Sequence, residues 1–86
     1  MRRKVGRPRS TRMGRRYPYL VRLGQRVREL RQQAGLSQTE LGRGRRSAAL
    51  ISRIESGQVA PDLGTLQEIA GTLHLPLRRM FPEGLP

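Results

Sequence analysis

Cysteine is absent from this 86-residue sequence, and its aromatic residues are only two tyrosines and one phenylalanine. The lack of cysteine excludes a disulfide scaffold, cysteine-ligated zinc or iron–sulfur sites and a thiol nucleophile. The single histidine, His74, is too little for a histidine-rich metal site. We therefore expect neither a metal nor another cofactor.

Long apolar runs are also missing, since none approaches the ~20 residues that a membrane-spanning helix needs. The basic N-terminus is not followed by the apolar stretch of a secretory signal. We therefore expect a cytoplasmic, nucleoid-associated protein. Acidic residues are few, and each fits a helix cap, a helix dipole or a salt bridge, with no nucleophile or base spaced beside it. An enzyme is not expected.

Positive charge dominates the sequence, because 18 lysines and arginines against 6 aspartates and glutamates give a net charge of +12. Such a balance predicts a polyanionic partner. Residues 1–17 contain no acidic residue, little apolar surface and eight basic residues, namely Arg2, Arg3, Lys4, Arg7, Arg9, Arg12, Arg15 and Arg16. We expect residues 1–17 to form a basic arm that is disordered when free.

Helical spacing begins at Pro18, after which apolar residues recur at intervals of three and four. The pattern predicts a first helix with Pro18 in its first turn and Gly35 just past its end. Ser37 and Glu40 have capping-box spacing, which predicts a short second helix ended by a turn at residues 43–46.

Ser47 fits the N-cap of a third helix. Gly57 fits the left-handed residue that ends this helix. Pro61 and Asp62 open a fourth amphipathic helix, and residues 77–81 form a brief fifth turn. No segment alternates with the period of a strand. The sequence therefore predicts an all-α domain of five helices over residues 18–81, with residues 82–86 frayed.

Two short helices joined by a turn, the second with small and polar residues on its outer face, fit a helix-turn-helix that enters the DNA major groove. The sequence resembles the Cro and repressor type of helix-turn-helix, the XRE family. The resemblance spans about residues 20–81 and rests on four segments in the family's order: 23–31 (LGQRVRELR), 35–41 (GLSQTEL), 51–57 (ISRIESG) and 61–66 (PDLGTL). It implies a five-helix, Cro/repressor-like domain that binds double-stranded DNA, usually as a homodimer on a two-fold site.

The resemblance also implies site residues. Gln38 would touch a phosphate or brace the recognition helix, and Glu55 would pair with Arg28 or Arg31. The residues of helix 47–56 that would face the groove are Ser47, Ala48, Ala49, Ser52 and Arg53. Arg53 is the one long donor on this helix and would act as a phosphate clamp or as a reader of guanine, whereas an outward alanine can only contact a thymine methyl group.

The turn between the second and third helices departs from the family pattern. It has four residues where the family normally has five, and arginines replace the apolar side chains that the family buries beside its turn glycine. We expect Arg43, Arg45 and Arg46 to turn outward and contact the DNA backbone. The angle between the two helices does not follow from the resemblance.

Within the arm, Gly6-Arg7-Pro8-Arg9 resembles half of an AT-hook, with Val5 where a full hook has arginine. Arg7 and Arg9 would then enter a narrow minor groove. The alternatives are less specific contacts with the minor groove or phosphates, and a solubilising tail without a partner.

Three functions fit these features. The first is a sequence-specific transcriptional regulator, with repression as its expected action. The second is an antitoxin that binds both DNA and a toxin partner, and the third is a nucleic-acid packing protein with little sequence preference.

Overall fold

The structure, a computed structural model, describes residues 17–82. In this range the chain forms four α-helices and no strand: α1 (Pro18–Gln33), α2 (Gln38–Gly42), α3 (Ala48–Glu55) and α4 (Leu63–Leu73). The prediction of an all-α fold is confirmed. Residues 1–16 of the predicted arm, with Arg7 and Arg9, and residues 83–86 of the predicted frayed end lie outside the described residues.

The predicted fifth helix is a single 3-10 turn (Leu77–Met80), so the described domain has four α-helices and not five. Pro82 limits this element, because the residue before a proline is disfavoured in the helical region, and Phe81 is extended. In a 3-10 turn, residues three apart share one side. Leu77 and Met80 are three apart, and Met80 is completely buried in the core.

Side-chain caps set the starts of α2 and α3. The Ser37 hydroxyl accepts a hydrogen bond from the Glu40 amide at 3.0 Å, and the Glu40 carboxylate accepts one from the Ser37 amide at 2.8 Å. The Ser47 hydroxyl accepts from the Leu50 amide at 3.0 Å. Each cap satisfies an amide that lacks a partner within the helix. Both predicted caps are confirmed.

Asp62 caps α4, because its carboxylate accepts a 2.7 Å hydrogen bond from the Thr65 amide. The backbone hydrogen bond of Thr65 is the largest cause that lowers the pKa of Asp62, and the charge of Arg46 is the smallest. The ionised form is therefore the one that the fold stabilises, and this stabilisation is lost as the pH falls through the lowered pKa.

One small core joins all five elements. Its buried apolar side chains are Val27, Leu30, Leu41, Ile51, Ile54, Leu66, Ile69, Ala70, Leu73 and Met80. No helix within residues 17–82 has both the length and the hydropathy that a membrane span requires.

Helices α1 and α3 approach each other closely at Gly24. A Cβ atom at this position would lie 2.6 Å from the carbonyl oxygen of Glu55 and closer still to that of Ile54. Because both neighbours are backbone atoms, a side chain at Gly24 would force the two helices apart. The C-terminal half of α3 is thus held directly against α1.

We expect Gly24→Ala to lower the free energy of unfolding by about 1–3 kcal/mol, because it overpacks this contact. The matched control is Gly71→Ala in α4, where an added Cβ meets no atom within 4 Å. That variant should gain about 1 kcal/mol from helix propensity alone. Urea unfolding of both variants measures the difference, and a similar gain in both would contradict the close approach.

Candidate nucleic-acid interface

The third helix has one buried face and one exposed face. Ile51 and Ile54 are almost completely inaccessible to solvent and orient the helix on the core. The exposed side carries Ala49, Ser52 and Arg53, while Ala48 is half-buried. Of the two alanines that were expected to face the groove, Ala49 is thus the more accessible. This face has small side chains and one long donor.

The N-terminus of α3 lies at the surface. Ser47 is exposed, and its hydroxyl, which accepts from the Leu50 amide, still has a hydrogen to donate. The first amides of a helix carry partial positive charge and attract phosphate. The start of α3 thus combines an exposed hydroxyl with a favourable local field.

An ion pair fixes the other end of α3. Arg31 Nε lies 2.6 Å from Glu55 Oε2, and Arg31 Nη2 lies 3.1 Å from Glu55 Oε1. The same guanidinium donates to the Leu36 carbonyl at 2.9 Å. The structure therefore selects Arg31, and not Arg28, as the partner of Glu55. The hydrogen bond to Glu55 is the main cause that raises the pKa of Arg31 above its ordinary value.

Gln38 joins this network from the first residue of α2. Its Nε2 donates to Glu55 Oε1 at 3.0 Å. One carboxylate thus links residues from α1, α2 and α3. Of the two roles considered for Gln38, bracing the recognition helix has a contact in this structure, and phosphate contact stays a prediction.

The arginines of the turn between α2 and α3 differ in their surroundings. Arg43 is exposed and has a left-handed backbone, with φ of 50°. Arg45 is exposed too, with 74% of its side-chain surface accessible. Arg46 instead lies against α4, where its Nε is 3.0 Å from Glu68 Oε1. Arg43 and Arg45 therefore have the expected outward orientation, whereas Arg46 lies partly buried against α4.

Two residues that help to position this surface were missed in the sequence. Glu68 contacts the turn, although it follows Arg46 by 22 positions and no local pattern links them. Gly24 sets the distance between α1 and α3. A glycine inside an otherwise regular amphipathic helix is a signal for such a contact, because glycine destabilises a helix interior.

The connection after α3, residues 56–62, contains no basic residue, whereas residues 43–46 contain three. Positive charge in the connections that flank α3 is therefore concentrated before its N-terminus. Within residues 17–82, no group of three or more histidine or acidic side chains is arranged to hold a metal ion.

Comparison with known proteins agrees with a helix-turn-helix arrangement of α2 and α3. A family model described as a helix-turn-helix domain matches residues 22–80. The restriction-modification controller protein C.AhdI from Aeromonas hydrophila is 35% identical, with a TM-score of 0.73 over 76% of this chain and 100% of that chain. The comparison with curated protein sequences gives no match.

Two further solved structures are similar. The DNA-binding domain of BldD from S. venezulae is 30% identical, with a TM-score of 0.70 over 77% of this chain and 100% of that chain. ComR from Streptococcus suis is 28% identical, with a TM-score of 0.70, and the match covers 92% of this chain but 26% of ComR.

The chain belongs to the helix-turn-helix domain family, in its Cro and repressor (XRE) type. The predicted family is confirmed. Residues 22–80 form a helix-turn-helix DNA-binding domain, and both the family and the fold are those of DNA-binding regulators.

We expect Arg31→Ala to lower the free energy of unfolding by about 2–3 kcal/mol, because it leaves the buried carboxylate of Glu55 without its charged partner. Arg28→Ala is the matched control, since Arg28 is exposed on the same helix and should change stability by less than about 0.5 kcal/mol. Urea unfolding checks both values. Equal effects would show that the ion pair contributes little.

Proposed function

We propose that this protein is a sequence-specific regulator of transcription, with repression as its expected action, and that it reads the major groove with α3. The observation that carries the proposal is the exposed face of Ala49, Ser52 and Arg53 on a helix whose far end is fixed by Glu55. Small side chains let the helix backbone approach the groove closely, and Arg53 supplies a donor for a base edge or a phosphate.

Phosphate contacts are assigned to residues around this face. Arg43 and Arg45 are exposed in the turn before α3, and Ser47 is exposed at the N-cap of α3. Phosphate contacts fix the register of a protein on the duplex, whereas base contacts give its specificity. These residues therefore position α3, and the residues on its exposed face discriminate between sequences.

We further propose that the protein binds as a homodimer, assembled in solution or only on DNA. One small domain that reads three or four base pairs mainly with alanine and serine has little selectivity. Two such domains on half-sites about one helical turn apart double the number of base pairs that are read.

Selection of bound sequences from random duplexes at fixed salt tests the proposal. We expect an enriched motif with two-fold symmetry, because a symmetric dimer reads the same half-site twice. A one-sided motif would contradict the dimer and keep the sequence-specific regulator. No enrichment at all would favour a packing protein with little sequence preference.

We expect Arg53→Ala to weaken binding to the selected duplex by about 1–3 kcal/mol if Arg53 reads a base. Random duplexes should then lose much less affinity. Arg22→Ala is the control for the loss of one charge, because Arg22 is exposed on α1 about 200° around the helix from Gly24, the residue that contacts α3. Equal losses on selected and random duplexes would make Arg53 a phosphate clamp.

We propose that the basic segment 2–16 contacts DNA outside the footprint of the helix-turn-helix, with a modest preference for A·T-rich flanks. Its removal should flatten the slope of log affinity against log salt by roughly 3–4 units, if about half of its eight basic residues neutralise phosphates. Thermal unfolding should hardly change. A truncated protein that keeps the full-length slope would return this segment to the role of a solubilising tail.

A further inference from the structure

The turn between α2 and α3 has few ways to hold its position. Its backbone is closed onto α2 by hydrogen bonds from the amides of Arg45 and Arg46 to the Gly42 carbonyl, at 2.9 and 3.2 Å. These bonds are local, so they do not connect the turn to α4. Residues 43–46 also have no apolar side chain that could anchor them in the core.

Glu68 of α4 connects the turn to α4 through ion pairs. Its Oε1 lies 3.0 Å from Arg46 Nε, and its Oε2 lies 3.8 Å from Arg45 Nη1. The side chains of Glu68 and Arg46 are each about one-third exposed, at 35% and 33%. One carboxylate thus contacts both arginines that directly precede Ser47.

The contact between Arg46 and Glu68 is held by charge. Arg46 Nε and Glu68 Oε1 are both buried from solvent, yet neither forms a well-directed hydrogen bond. Buried polar atoms without such partners are rare in folded proteins and call for an explanation. Here the attraction of opposite charges at 3.0 Å keeps the two atoms together despite their poor alignment.

We propose that Glu68 is a positioning residue for DNA binding, which ties the shortened turn to α4 and thereby fixes the entry of α3 into the groove. The inference rests on the proposed function. Arg46 is followed directly by Ser47, the N-cap of α3, so a tie at Arg46 restrains the start of the recognition helix. An ion pair replaces apolar anchoring at this position.

The same carboxylate competes with DNA for the turn arginines. Arg45 is largely exposed and lies at the longer distance of 3.8 Å, so a phosphate can draw it away from Glu68. Arg46 is less exposed and closer to the carboxylate. Removing the charge of Glu68 therefore frees arginine for phosphates of any sequence while it loosens the helix that reads the bases. Affinity for random DNA rises and discrimination falls.

Glu68→Gln tests this inference, with Glu29→Gln as the matched control. Both variants raise the net charge by one, but Glu29 is exposed on α1 and no ion pair involves it within residues 17–82. We expect the salt slope on random duplex to steepen by about 0.9 in Glu68→Gln, one additional phosphate contact, and to stay unchanged in the control. The ratio of selected to random affinity should fall about two- to fivefold only in Glu68→Gln.

A second readout needs no DNA. The amides of Leu50 and Ile51 bond to Ser47 at the start of α3, so their hydrogen exchange reports on this end of the helix. We expect about two- to fivefold faster exchange at both amides in Glu68→Gln, because a partly exposed ion pair contributes a stabilisation of this size. Exchange at these amides should not change in Glu29→Gln. Arg46→Gln should reproduce the effect, and Arg46→Lys should preserve slow exchange because it keeps the charge.

The outcomes separate this inference from the proposed function. If Glu68→Gln matches Glu29→Gln in amide exchange and in salt slope, the positioning role is wrong, whatever the selection gives. If the wild-type protein selects no motif, sequence-specific regulation is wrong. Faster exchange at Leu50 and Ile51 together with a steeper slope on random duplex would still support the tie by Glu68.

Discussion

The carboxylate of Glu55 is the contact on which the arrangement of this domain depends. Glu55 belongs to α3 and is only 8% exposed, and its carboxylate receives hydrogen bonds from Arg31 of α1 and Gln38 of α2. A buried carboxylate needs such partners, because an unpaired charge in the core would destabilise the fold by several kcal/mol. Helices α1, α2 and α3 are therefore held in one relative orientation, in which one face of α3 stays exposed to solvent.

Five arginines on or near the recognition helix divide into two groups by how exposed they are. Arg31 and Arg46 lie against carboxylates, where they hold elements of the fold together. Arg43, Arg45 and Arg53 are exposed beside or on α3. A high net charge therefore does not translate directly into DNA contacts, because part of it is used inside the structure. The strength of each phosphate contact depends on how freely the guanidinium can leave its neighbours.

The chemistry of the reading face also limits the type of recognition. Alanine and serine contribute methyl contacts and short hydrogen bonds, and Arg53 alone reaches further. A surface of this kind depends on accurate placement of the helix backbone more than on long side chains. The Glu55 network at one end of α3 and the turn at the other end are therefore central to the proposed specificity.

The sequence by itself determined the features that depend on neighbouring residues. The capping box of Ser37 and Glu40, the cap of Ser47 and the left-handed Gly57 follow from short-range geometry, and the structure has all of them. The family could also be predicted from the sequence, because its motifs occur in the expected order along the chain. The type of the last helical turn did not follow from the sequence, since the five residues between Pro76 and Pro82 can form either an α-helical or a 3-10 turn.

Only the tertiary structure decided the contacts between distant parts of the chain. Arg28 and Arg31 lie three positions apart on nearly the same side of α1, so the sequence left both as partners of Glu55, and the packing of the helices selected Arg31. Likewise, the pattern at 43–46 predicted exposed arginines, but the approach of α4 brought Glu68 to Arg46. Ion pairs across a turn depend on the relative position of whole helices, and that position is set by the core.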